Sequence, residues 1–233
     1  MTEVDTARTT RPGWPEILVG LAVMAVLGYG LPITLNRTGI SDTMSPVLSG
    51  LILAALSGVA GLAAFVLAAR LRVRDWSVFG VRRTTRRWLL LGAGAGLLAV
   101  LVSRLAAAVL YYVTGPIENI QQPYADAAGG GVLAAILSVL FLAILTPIGE
   151  EFLFRGIVTT ALLRYGAIAG VVGSSLIFAL MHGLNAVFIT ALIVGLLAAE
   201  VRRRSGSVWP GVLTHVVNNL IGQLIVLALA AAA

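Results

Sequence analysis

The chain has 233 residues, of which 59% are hydrophobic and only 11% charged, and its mean hydropathy of +0.99 excludes a water-soluble fold. The net charge of +6 rests on sixteen basic residues, all arginine, and there is no cysteine. That excludes a disulfide framework, a thiolate nucleophile and a sulfur-ligated metal, so any chemistry must run on carboxylates, imidazoles, hydroxyls and amides.

Residues 1–13 are polar and mixed in charge, with no apolar run leading to a small-residue cleavage site. They read as a disordered cytoplasmic tail. Apolar runs then predict helices over residues 14–36, 46–69, 88–113, 132–163, 167–181, 185–199 and 208–232. At roughly 20 residues per crossing the fold class is all-α, a polytopic transmembrane helix bundle of about seven spans, with six to eight as the range. The organisation expected is the tail, a set of N-terminal transmembrane helices over residues 14–130, and a catalytic helical core over residues 131–233.

Arginine distribution orients the bundle. The segment between the second and third runs carries Arg70, Arg72, Arg74, Arg82, Arg83, Arg86 and Arg87 against one Asp75, and the positive-inside bias places it in the cytoplasm. The loop over 36–45 and the loop over 114–130, with Glu118 and Asp126, then fall outside, while Arg164, Arg202, Arg203 and Arg204 fall inside with Arg8 and Arg11 of the tail. The expectation is an integral protein of the cytoplasmic membrane with its N-terminus inside. The arginines read as topology signals rather than as a nucleic-acid site, which leaves membrane lipid as the surrounding partner and no nucleic acid.

Two lengths do not suit simple spans. A straight helix from Val132 to Leu163 would be about 48 Å long, beyond a hydrocarbon core of about 30 Å, and Pro147 and Gly149 offer a place to kink. The runs over 167–181 and 185–199 are each about 22 Å and meet at His182-Gly183-Leu184. Irregular backbone at that depth needs protein or a water-filled cavity around it, which sets His182 beside a cavity. Glycines such as Gly92, Gly94 and Gly96 read as close-approach positions between helices.

Ionisable groups inside spans are costly and mark sites by default. Arg104 lies near an outer end, where it can snorkel, and Glu200 sits at a helix end. The rest are Glu150, Glu151 and Arg155, His182, and His215 with Asn218 and Asn219. Glu151 and Arg155 are spaced i, i+4 and can pair on one face, whereas Glu150 projects about 100° away. His215 and Asn219 share the same spacing and present an imidazole beside an amide, as an oxyanion-binding pair requires; Phe178 and His182 share a face in the same way.

The residues support three uses. Glu150 can act as general base on a water that His182 positions, with His215 and Asn219 stabilising a tetrahedral oxyanion. Glu150, His182 and His215 can instead ligate a divalent metal such as zinc and leave a position open for water, although no H-E-x-x-H is present. The cluster can also serve only to hold helices together.

At these residues the sequence resembles the CPBP family (CAAX proteases and bacteriocin-processing enzymes, also called Abi), relatives of the Rce1-type prenyl-protein endopeptidase. E-E-x-x-x-R stands as Glu150-Glu151-Phe152-Leu153-Phe154-Arg155, F-x-x-x-H as Phe178 to His182, and H-x-x-x-N as His215 to Asn219, with Gly206-Ser207-Val208-Trp209-Pro210-Gly211 leading into the last. The resemblance implies an intramembrane endopeptidase acting on a membrane-associated peptide or protein. It implies that Glu150 activates water with His182, that His215 and Asn219 form the oxyanion site, and that Glu151 and Arg155 support the structure. The competing expectation is a non-catalytic membrane-binding or bacteriocin-immunity protein using the same cavity.

One count resists a simple picture. Glu150 lies about 27 Å along its helix from Val132, towards the cytoplasmic side, whereas His182 lies about 22 Å away from that side. Straight helices along the membrane normal would keep them apart, so tilt, a kink at Pro147 or a fifth helix starting below the membrane plane is required.

Overall fold

The computed structural model describes residues 11–73, 75–116 and 120–232. Residues 1–10 of the expected tail, with Arg8, and also Arg74 and Glu118 lie outside the described residues. Among those described, every regular element is helical. We number them α1 (Trp14–Arg37), α2 (Pro46–Arg72), α3 (Arg86–Thr114), α4 (Gln122–Ala128), α5 (Val132–Tyr165), α6 (Ala169–Leu180), α7 (Ala186–Ser205) and α8 (Trp209–Ala230). Five of them, α1, α2, α3, α5 and α8, are long and apolar enough to cross a membrane. The helix α6 is shorter, and α7 ends in three arginines.

Helix boundaries follow local chemistry. Pro46 opens α2 behind Ser45, whose hydroxyl accepts from the Leu48 amide at 3.2 Å. Asn185 caps α7 by accepting from the Val187 amide at 2.8 Å, and Gly206 ends it with φ +69°. The stretch over 114–130, expected as a plain loop, contains α4, which packs against α2 and the start of α5.

The 34-residue α5 runs unbroken through Pro147. Two wide, π-type turns, Leu140–Leu145 and Phe152–Thr159, stand on either side of the glutamates. These turns rearrange the hydrogen bonding that Pro147 would interrupt. The Thr146 amide reaches back to the Phe141 carbonyl, and in that i→i+5 register the Leu142 carbonyl would face the nitrogen of Pro147, which carries no hydrogen.

The helix α2 lies across α5 through glycines. A Cβ on Gly58 would come within 2.6 Å of the Leu145 carbonyl oxygen, and one on Gly61 within 2.5 Å of the Gly149 carbonyl carbon, so both glycines allow backbone to touch backbone just before Glu150. Thr146 Oγ1 donates to the Ala54 carbonyl across the same seam at 3.1 Å. Gly58→Ala is expected to lower the thermal unfolding midpoint in detergent, by overpacking worth about 1–3 kcal/mol. An unchanged midpoint would mean that the two helices can separate without cost.

One end of the bundle gathers the arginine-rich segments. Arg72 forms a two-pronged pair with buried Glu16 at 2.8 and 2.7 Å, Arg82 donates to the Gly206 carbonyl at 2.8 Å, and buried Arg202 donates to Thr160 Oγ1 at 2.9 Å. The turn Trp76–Phe79 seals this end with Phe79 fully buried. Its cap, Asp75, accepts from the hydroxyl and amide of Ser77, which hold its carboxyl below the usual range. At the end of α7, hydrogen bonds from Arg203 and Arg204 take the Glu200 carboxyl down to about 2.

Above that floor an aromatic cluster fills the core. Phe65 meets Trp76, Phe79 and Phe152 edge-on at 5.2, 5.7 and 5.1 Å, and Phe152 meets Trp209 at 5.6 Å. The buried rings of Phe65, Phe79 and Phe152, edged by the exposed Trp76 and Trp209, link α2, α5 and α8.

Candidate active site

The α5–α6 turn explains how Glu150 and His182 meet. Both helices leave Gly166, whose φ of +106° reverses the chain. Glu150 stands about 22 Å from the Tyr165 end of α5, and His182 about 20 Å from the Ala169 start of α6. Counted from their shared turn they stand level; the conflict arose from counting Glu150 from Val132, the far end of a helix about 51 Å long that exceeds the hydrocarbon core.

Glu150 is 3% exposed and Glu151 fully buried. The two carboxylates diverge as expected from adjacent helical positions. Glu150 Oε1 accepts a hydrogen bond of 2.5 Å from Ser57 Oγ of α2. Its Oε2 has no hydrogen-bond partner among the described residues and faces two imidazoles, His182 Nε2 at 3.9 Å and His215 Nε2 at 4.0 Å.

Each histidine is oriented through its other nitrogen. His182 Nδ1 lies 2.9 Å from the Phe178 carbonyl; a carbonyl only accepts, so Nδ1 carries the hydrogen. His215 Nδ1 lies 3.2 Å from Glu151 Oε1 and likewise donates to that carboxylate oxygen. In the neutral state both rings therefore present an Nε2 lone pair to Glu150. Phe178 braces the pair, with its ring edge-on to His182 at 4.7 Å and to His215 at 5.8 Å.

Behind His215 the expected Glu151–Arg155 pair is present. Arg155 Nε lies 3.1 Å from Glu151 Oε2, with both side chains fully buried. The approach angle is too poor for a hydrogen bond, so the pair is held chiefly by charge. The Arg155 guanidinium also sits 4.6 Å over the Phe178 ring. A continuous chain of contacts thus runs from Arg155 through Glu151 and His215 to Glu150.

Asn219 lies beside α5. Its Nδ2 donates at 2.9 Å to the Leu142 carbonyl, the group left facing Pro147, and its Oδ1 accepts from Asn218 at 3.1 Å. One of its two amide hydrogens is committed to the helix, and the other remains to be donated. On the short helix α4, burial, and secondarily the charge of Glu150, push the Tyr124 phenol up. Exposed Arg104 and half-buried Glu200 take no part.

Glu150, His182 and His215 converge, as the metal expectation requires, but stand wide for a tetrahedral ion. Zinc bonds of about 2.0–2.1 Å set ligand atoms about 3.3–3.4 Å apart, against 3.9 and 4.0 Å here. Among the described residues no group of three or more His, Asp or Glu side chains closes into a metal site. A water at about 2.8 Å from each atom does fit those separations.

The residue that sequence reasoning missed is Ser57. The available signal was a hydroxyl in an apolar helix next to Gly58, but nothing local to α2 names a partner 93 residues away.

An all-helical chain with several apolar helices around a buried Glu/His cluster defines the class, an integral membrane protein with a polar interior site. Within it, residues 132–221 match the family model described as type II CAAX prenyl endopeptidase Rce1-like. That description names a peptide hydrolase, an endopeptidase of the CAAX prenyl type. No curated protein and no solved structure matches the chain.

Proposed function

We propose that the protein is an intramembrane endopeptidase in which Glu150 activates a water for attack on a peptide carbonyl. The observation that carries this reading is the lone Oε2 of Glu150, buried and aimed between the Nε2 atoms of His182 and His215. A water held there loses a proton to Oε2 as its oxygen bonds to the carbonyl carbon. His182, fixed by the Phe178 carbonyl, orients that water. His215, as the imidazolium, turns an Nε2–H towards the oxyanion, with Glu151 on its Nδ1 holding the ring in place. The second amide hydrogen of Asn219 is the other oxyanion donor. Arg155 holds Glu151 in place from the other side.

In this reading residues 131–233 supply the reacting side chains and residues 14–130 supply the wall, Ser57 included. The arginine-rich end lies in the cytoplasm, with the N-terminus on the inner side of the cytoplasmic membrane. Counting α6 and α7 with the five long helices gives seven spans. The family description makes prenylated peptides with a C-terminal CAAX sequence the first substrates to try, beside unprenylated membrane peptides.

The test is cleavage of a quenched peptide library, prenylated and unprenylated, by purified protein in detergent, with and without a strong chelator. Cleavage that survives the chelator is expected, because the donor atoms stand wider than a zinc tetrahedron. Loss on chelation with recovery on added zinc would overturn the metal-free mechanism. A protein that binds these peptides without cutting any of them would instead be the non-catalytic binding or immunity protein.

A further inference from the structure

Serine in a helix ordinarily returns its hydroxyl hydrogen to the carbonyl four residues back. Ser57 does not; its Oγ reaches across to Glu150 Oε1 at 2.5 Å. The reach is built into the helix crossing. Gly58 and Gly61 bring the α2 backbone onto Leu145 and Gly149 of α5, and Thr146 is tied to Ala54 one turn away, so the seam is fixed at the residue preceding Glu150. A carboxylate whose Oε1 is held can no longer rotate freely about its terminal bond, and the other oxygen stays directed at His182 and His215.

From this geometry we infer that Ser57 is a positioning residue for peptide hydrolysis, holding Glu150 in the one rotation in which Oε2 takes and returns the proton. The inference rests on Glu150 acting as the base. The water O–H bond breaks as its oxygen bonds to the carbonyl carbon, and the proton goes to Oε2. With Oε1 already receiving a hydrogen from Ser57, the proton stays on Oε2 and passes from there to the leaving nitrogen as the C–N bond breaks. The Ser57 hydrogen is not transferred at any stage.

The test compares Ser57→Ala and Ser57→Thr with the wild-type protein on a quenched peptide that the wild type cleaves. Losing one hydrogen bond to a charged group predicts a fall in kcat of about 10- to 100-fold for Ser57→Ala, with KM within about twofold and an unchanged unfolding midpoint. Ser57→Thr keeps a hydroxyl and should recover most of the rate. An isotope-edited infrared spectrum supplies a readout independent of turnover: the Glu150 carboxylate band, identified by its loss in Glu150→Gln, should shift in Ser57→Ala and return in Ser57→Thr. A band that does not move, or wild-type kcat in Ser57→Ala, overturns the inference. Activity persisting in Glu150→Gln would instead remove the base reading, whatever Ser57 does.

Discussion

Replacing Glu150 with glutamine is expected to lower kcat by about 10²- to 10⁴-fold, the usual contribution of a general base, while peptide binding persists. The substitution is nearly isosteric, and the glutamine oxygen can still accept from Ser57. What changes is the group facing His182 and His215: a proton-accepting oxygen becomes an amide nitrogen that only donates. The same quenched peptide measured by cleavage and by fluorescence anisotropy separates the two effects. Unchanged cleavage would remove Glu150 from the reaction. Equal loss of binding and cleavage would show that the side chain holds the substrate or the fold rather than the water.

The largest effect on stability is expected at Arg155. Removing one partner of a buried ion pair typically costs about 3–5 kcal/mol, because the other charge is left buried and unpaired. Arg155→Leu leaves Glu151 in that position, since both side chains are fully buried, and takes the cation from the Phe178 ring as well. A large fall in the unfolding midpoint in detergent should result. Adding Glu151→Gln to Arg155→Leu should recover part of it, because the stranded charge is then gone. Strict additivity of the two losses would contradict a coupled pair. His215 would also lose its oriented carboxylate in the double variant, so recovered stability should come without recovered hydrolysis.

Local spacing carried the part of the site that lies within single helices. The i, i+4 relations of Glu151 with Arg155 and of Phe178 with His182 appear as a charge pair and as a ring contact. Hydropathy located the long helices, and both histidines stand beside the same carboxylate. Relations between helices were not legible in the same way. Ser57 resembles any serine of an apolar span until α2 is laid over α5. The stretch over 114–130 hid α4, because seven residues beginning Gln122-Pro123 give too short a pattern to separate from a turn. The meeting of Glu150 with His182 follows only when both are counted from the turn at Gly166 that joins their helices, and hydropathy does not say which end of a helix longer than the membrane core to count from.

The wide turns of α5 also bear on how relatives should be compared with this chain. A turn closed i→i+5 holds one residue more than a turn closed i→i+4, so Leu140–Leu145 and Phe152–Thr159 each shift the phase of everything beyond them by about 100° relative to a regular helix. A relative with regular turns there would present the same glutamates in the same place only if it were shorter by single residues. Alignments through this helix should accept one-residue gaps inside it, where gaps are usually forbidden, and a helical wheel drawn straight through 140–159 will assign residues to the wrong face.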